Sequence, residues 1–210
     1  MVDKSSLRLS EKGFFKDPQK KDLIVIHFTA GGSAKSSLDW WNKLASRVST
    51  PYLVDTDGTI YETYDPQCWS YHLGIQGADG NHLNDKRSIG IEVCNYGPLK
   101  LSGKTLNSWP KNFGNKYCDL SEQERYIKTP FRGFDYYAAF TEFQKVAIGF
   151  LVDELCLKFQ IPKAIAPDAQ KNECDVPFFS NWKGIATHAN FRKDKFDISW
   201  NVIDKAWLGL

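Results

Sequence analysis

Four histidines stand in this 210-residue chain, at His27, His72, His82 and His188. Two of them close short apolar runs, Leu23-Ile24-Val25-Ile26-His27 and Gly184-Ile185-Ala186-Thr187-His188. Both runs lead into glycine-bearing or polar segments, the place where open α/β sheets collect their ligand sites. A histidine ending a buried strand needs a polar partner, and neutral imidazole is a favoured nitrogen ligand for zinc. Asp197 follows His188 by nine residues, too irregular for one helix face but natural for a loop that folds back. With His27 it gives two imidazoles and one carboxylate, which leaves a fourth position open for water, as catalytic zinc requires. Asp194 competes with Asp197 for that role. Cys174 offers a thiolate instead, although it precedes the His188 strand and reads as an ordinary free thiol. Lys195 would stand beside such a site, where a fixed ammonium stabilises a developing oxyanion. Glu92 would take a proton from water and return it to a leaving amine.

Each residue also has a plainer reading. A strand-end histidine is commonly hydrogen-bonded scaffold, Asp197 can cap a helix, and Lys195 is one lysine among many. Glu92 can be an edge-strand charge that deters aggregation, and His82 reads as a loop residue. Spacing alone supports a metal site without requiring one.

The elements that position these residues are legible in the periodicity. In the run 23–28, His27 shares a face with Leu23 and Val25, while Ile24, Ile26 and Phe28 take the other. Ser36 or Ser37 can cap a helix carrying Leu38, Trp41, Leu44 and Ala45 at helical spacing. Residues 52–63 read as a hairpin turning at Asp57-Gly58. Ser88 to Cys94 form a strand with Ile89, Ile91 and Val93 on one side and Gly90, Glu92 and Cys94 on the other. From Asn95 to about Tyr137 no period is sustained, which reads as a long ordered loop of the kind that usually serves function. A helix follows from Thr141, with Phe143, Val146, Ala147, Phe150, Leu151, Leu155 and Phe159 on one broad face. After the 184–188 strand, a polar loop leads to Ser199-Trp200 and a terminal amphipathic helix ending at Trp207 and Leu208. Strands alternating with helices predict a single α/β domain, a mixed central sheet flanked by helices.

Composition narrows the class. Lys and Arg total 27 against 25 Asp and Glu, a net charge of +2, which argues against a nucleic-acid partner or an acidic membrane surface. The apolar fraction is 42%, with 14 Phe, 9 Tyr and 7 Trp, enough for a full core without disulfide or metal staples. Disorder, collagen and coiled coil are excluded. The stretch Thr141 to Phe159 is interrupted by Lys145, Asp153, Glu154 and Lys158 and predicts no membrane insertion. The N-terminus has no apolar core of a secretory signal, so synthesis in the cytoplasm is expected. Five cysteines, odd in number and never in a CxxC pair, predict free thiols.

Taken together, four segments resemble the N-acetylmuramoyl-L-alanine amidase type 2 family, whose fold peptidoglycan recognition proteins and some phage lysins share. Ile24-Val25-Ile26-His27-Phe28-Thr29-Ala30-Gly31 is similar to its strand ending in a zinc histidine. Trp69-Ser70-Tyr71-His72-Leu73-Gly74 is similar to its Trp-His-x-Gly turn, and Ser88-Ile89-Gly90-Ile91-Glu92-Val93 to its Ser-Ile-Gly-Ile-Glu strand. His188 through Lys195 and Asp197 resembles its second zinc histidine followed by Lys-x-Asp. The matches come in order and span residues 23 to about 200.

The resemblance implies one zinc amidase domain over residues 1–210, with an insertion at about 97–137. It implies zinc-dependent hydrolysis of the amide joining N-acetylmuramic acid to L-alanine, with one Zn2+ per chain held by His27, His188 and Asp197. Glu92 and Lys195 become the catalytic pair and His72 a substrate-binding residue lining the cleft. The chain departs from the family in having Phe28 where a histidine or tyrosine is frequent, and Ile198 where proline is usual. Of the aromatics in the insertion, Trp109, Phe113, Tyr117, Phe131, Tyr136 and Tyr137, most are expected to pack a small lobe, with walling of a sugar-peptide cleft as the other reading. The expected role is that of a monomeric lysin acting on peptidoglycan after release to the wall. The alternatives are a cytosolic amidase recycling muropeptides and a non-catalytic peptidoglycan-binding module.

Overall fold

Leu23–Phe28 form β2, a strand rich in β-branched residues and buried along its whole length. The computed structural model describes residues 1–44, 46–74 and 82–210. Around β2 lie β1 (Val2–Asp3), β3 (Tyr52–Val54), β4 (Ile60–Glu62), β5 (Ser88–Val93) and β11 (Gly184–Thr187), in the order β1-β4-β3-β5-β2-β11. β3 and β4 are the expected antiparallel hairpin, and every other pair in this sheet is parallel. Parallel strands must be covered on both faces. On one face Ile24, Ile26, Ile89, Ile91, Val93 and Ile185 pack against α4 (Glu142–Phe159). On the other, Leu23, Val25 and Ala186 meet Leu73 and Phe179 of α5 (Val176–Asn181), while Leu53 meets Leu38 and Trp41 of α1 (Ala34–Lys43). The short α2 (Leu83–Arg87) feeds directly into β5.

Register does the positioning. His27 pairs with Glu92 across β2–β5, and Ile26 pairs with Thr187 across β2–β11. The residue after Thr187 is His188, so His188, His27 and Glu92 arrive side by side at the C-terminal end of three adjacent strands.

Three local expectations shift. α1 is capped by Ser33, whose side chain accepts from the Ser36 N–H, not by Ser36 or Ser37; Leu44 follows its last turn, and Ala45 lies outside the described residues. α4 begins at Thr141 with a reciprocal Thr141–Gln144 cap, but buries Ala147, Ile148, Leu151, Val152 and Leu155. Phe143 and Val146, expected on the core face, are 70% and 73% exposed. The helix is apolar around most of its circumference, so periodicity could not select the face. The terminal helix is one 3-10 turn, Lys205–Leu208, capped by Asp204 and followed by Gly209.

The largest correction lies between Asn95 and Tyr137. This is not a loop but a second, wholly antiparallel sheet of five strands: β6 (Pro98–Ser102), β7 (Thr105–Ser108), β8 (Asn115–Asp119), β9 (Tyr126–Phe131) and β10 (Phe134–Ala138). Its order is β8-β7-β6-β10-β9, with a distorted turn of helix, α3 (Pro110–Phe113), between β7 and β8. Irregular registers at Leu106/Asn107 and Phe134/Tyr136 break the alternation that a sequence reading depends on. Tyr137 is buried, Tyr117 packs on Tyr96 and Tyr136 on Tyr126, as expected for a packed lobe. The β9–β10 turn places Arg132 and Gly133 at φ of 48° and 85°, the left-handed pair that tight hairpins favour. Among the described residues no helix is long and apolar enough to cross a membrane, and all five cysteines are free.

Candidate active site

The C-terminal edge of the main sheet gathers three ligand atoms. His27 Nδ1 lies 3.0 Å from His188 Nδ1 and 3.4 Å from Asp197 Oδ2, and His188 Nδ1 lies 2.9 Å from the same oxygen. Tetrahedral zinc at its usual bond lengths has ligand-to-ligand edges of ~3.3 Å, so the donor set fits that ion in type and spacing. Asp197 reaches the cluster because the loop closes on itself: the Ala189 N–H donates to the Asp197 carbonyl at 2.8 Å. Asp194, the rival carboxylate, is bound instead by Arg192, Nε to Oδ1 at 2.9 Å. Cys174 takes no part in the cluster.

The far nitrogens of both imidazoles are also engaged. His188 Nε2 donates to the Leu73 carbonyl at 3.0 Å. His27 Nε2 meets His72 Nδ1 at 3.0 Å, and His72 Nε2 meets Ser88 Oγ at 2.8 Å. Ser88 donates onward to the Asn84 carbonyl. A proton on His27 Nε2 therefore fixes every donor in the chain His27→His72→Ser88→Asn84 and leaves His27 Nδ1 free to ligate. The turn bearing His72 is held by Asp85, which accepts from the His72 and Leu73 N–H groups at 3.0 Å each. His82, expected to be a plain loop residue, pairs with Asp85 at 3.3 Å and packs on Tyr71. Gly90 makes room for His72: a Cβ there would lie 2.6 Å from Thr50 and 3.2 Å from His72 Nδ1.

Electrostatics match the donor roles. Burial, then the adjacent His188, push His27 down to about 4. Burial also drives His72 well below the ordinary histidine value, helped by His27 and His188. Neutral imidazoles are what a metal requires. For Asp197, burial acts upward, but the adjacent His188 and then His27 prevail and hold the carboxyl below its usual range. Glu92 moves the other way: burial first, and Asp197 second, push it up to about 8, with Lys195 opposing. Its Oε2 is shielded from solvent and has no hydrogen-bond partner among the described residues.

Glu92, His188, Lys195 and Asp197 line one cleft of about 540 Å³, and His72 reaches its wall. A smaller hollow of about 200 Å³ adjoins it, sharing Thr29, Trp40, Trp41 and Glu92. The ammonium of Lys195 makes no ion pair among the described residues. The loop carrying His188, Lys195 and Asp197 is gripped by the second sheet: Arg132 donates to the carbonyls of Ala189 at 2.7 Å, Arg192 at 2.6 Å, and Lys195. All six residues singled out in the sequence thus converge. Arg132, Asp85, Ser88 and Trp40 were missed; only Ser88, four residues before Glu92 in a strand already identified, carried a usable signal.

A sheet edge holding two imidazoles and a carboxylate beside an unpartnered glutamate belongs to a recognisable class of α/β protein. Residues 17–197 match the N-acetylmuramoyl-L-alanine amidase family, and the chain belongs to it. No curated protein sequence matches the chain. The fold is similar to the catalytic domain of XlyA, at 15% identity over 100% of this chain and 99% of that one, with a TM-score of 0.55. It is similar also to PlyL (15% identity, 94% and 86% covered, TM-score 0.52). The amidase LysC of Clostridium intestinale URNW gives 13% identity, 100% and 98% covered, and a TM-score of 0.52.

Proposed function

We propose that this protein is a zinc-dependent N-acetylmuramoyl-L-alanine amidase of lysin type, hydrolysing the bond between the lactyl group of muramic acid and the L-alanine of the stem peptide. The observation that carries the reading is the unpartnered Glu92 carboxyl, opening on the same cleft as the His27–His188–Asp197 cluster. His27, His188 and Asp197 would hold the ion. Zinc, when bound, supplies a Lewis acid that polarises the carbonyl and acidifies water.

The chain's own groups do the rest. Glu92 accepts a proton from the attacking water as its oxygen bonds to the lactyl carbonyl carbon. The Lys195 ammonium, free of a carboxylate partner, faces the negative charge that develops on the carbonyl oxygen. Glu92 then delivers its proton to the alanine nitrogen as the C–N bond breaks, and the water's second proton passes from the new lactyl carboxyl to the freed amine, which leaves as an ammonium beside a lactyl carboxylate. His72 orients His27 from behind.

The test is zinc content and hydrolysis on the same samples of wild type and His188→Ala. One zinc per chain, lost in the variant together with release of stem peptide, supports the reading; zinc without hydrolysis overturns it. Clearing of purified walls against cleavage of a soluble muropeptide separates a lysin from a recycling enzyme.

A further inference from the structure

Of the seven tryptophans, Trp41, Trp69 and Trp200 are buried, and Trp182 and Trp207 are partly covered. Only two are exposed, Trp40 at 62% and Trp109 at 51%, and both line the catalytic cleft. They come from unrelated elements. Trp40 stands on α1 beside Trp41, whose ring anchors the helix in the core with Leu38 and Leu53. One residue is a rotation of about 100° on a helix, so anchoring Trp41 turns Trp40 outward. Trp109 precedes α3 in the second sheet. It meets Phe113 in a T-shaped contact at 5.4 Å, and about half of the side chain stays open to the cleft. Phe113 packs on Phe134 at 5.6 Å, and Phe134 on Phe196 at 5.4 Å, in the loop that bears Asp197. Trp109 is therefore buttressed by a ladder of rings reaching the metal cluster.

Indoles are ordinarily among the most buried side chains, and exposed ones gathered in one cleft mark ligand surface. The ligand must offer flat apolar area with a polar rim. A hexosamine ring does, with C–H bonds on its face and hydroxyl and acetamido groups at its edge, and the C–H face suits the negative face of an indole. The stem peptide begins at alanine, whose methyl offers little area. The hydroxyls of Thr29, Ser36 and Ser37 border the hollow at Trp40 and suit such a rim. Because that hollow adjoins the main cleft at Glu92, the binding surface runs on past the scissile position.

We propose that Trp40 and Trp109 are saccharide-stacking subsites, binding hexosamine rings of a glycan strand beyond the one whose lactyl amide is cut. This rests on the amidase reading and specifies its substrate as polymer. The second sheet is then a substrate wall, with Trp109 as its contact.

The test uses the full chain, with Trp40→Ala, Trp109→Ala and Trp109→Tyr. Peptide-free strands of alternating N-acetylglucosamine and N-acetylmuramic acid are titrated by calorimetry. Hydrolysis is followed on purified walls and on a monosaccharide muramoyl peptide. Each alanine variant should weaken strand binding at least tenfold, Trp109→Tyr should recover most of it, and kcat/KM should fall at least tenfold further on walls than on the monosaccharide substrate. Strand affinity unchanged in both alanine variants overturns the proposal, as does an equal loss on both substrates. Strand binding is read without turnover, so a wild type that binds strands and cuts nothing would overturn the amidase reading while leaving the subsites standing.

Discussion

His27 Nε2 and His72 Nδ1 lie 3.0 Å apart, and this contact decides which nitrogen of His27 faces His188 and Asp197. With Ser88 fixing the His72 tautomer from the other side, His72 acts on the cluster through His27 as well as lining the cleft. Removing the acceptor should loosen the metal without removing a ligand. His72→Leu is expected to weaken zinc binding by roughly 10–100-fold, the usual range for a ligand's hydrogen-bond partner. His72→Asn should retain most of the affinity, because its Oδ1 occupies the place of Nδ1. Competition with a chromogenic chelator measures both, and equal losses in the two variants would mean that His72 only fills space.

Arg132 couples the second sheet to the catalytic loop through three carbonyls. Hydrogen bonds from a charged donor are worth about 1.5–3 kcal/mol each when buried. Arg132 is half-buried, so Arg132→Met should cost about 2 kcal/mol in urea unfolding and lower kcat together with zinc affinity. Arg132→Lys should rescue little, since one ammonium cannot span three acceptors as a planar fork does. Retained zinc affinity in Arg132→Met would show that the loop holds its shape alone.

What the sequence revealed and what it hid divide along physical lines. The β2, β5 and β11 strands were legible because each is a short run rich in apolar or β-branched residues with a polar side chain at or just past its C-terminal end, and parallel register then aligns His27, Glu92 and His188. The choice of Asp197 over Asp194 was not legible, because it depends on Arg192 occupying one of the two carboxylates. The second sheet was hidden by short strands, irregular registers and a turn that puts Arg132 in a conformation arginine rarely adopts. With that sheet unseen, neither the Arg132 grip nor the setting of Trp109 was accessible. Trp40 was overlooked because the helical period of α1 points to the neighbour that packs, Trp41.

Metal should stabilise the fold as well as serve the reaction, because the cluster joins β2, the turn after β11 and the loop to Asp197. A ligand at one hundred times its Kd adds about 2.7 kcal/mol. In a chain of this size that corresponds to roughly 5–10 °C in Tm. Adding zinc to chelator-stripped wild type should produce that shift, and His188→Ala should abolish it. An equal shift in the variant would place the ion elsewhere.

The raised carboxyl of Glu92 predicts a pH signature in the metal-free protein. Its pKa is about 8 when folded, against a reference value of 4.5. Below 4.5 both states hold the proton and the group is neutral to stability. As pH rises from 4.5 to 8 the unfolded chain releases the proton and the native state keeps it, so folding stability falls; above 8 the penalty is constant. Glu92→Gln removes this penalty. With chelator present, its Tm should equal that of wild type near pH 4.5 and exceed it increasingly up to about pH 8. His27 and His72 act in the opposite sense, costing stability as pH falls below the ordinary histidine range, but do so in both proteins and leave the difference intact. Zinc should shrink the gap, because a cation beside Glu92 favours its ionised form. A difference between the two proteins that does not change with pH would mean that Glu92 is not raised, and would remove the electrostatic argument for its role as the proton carrier.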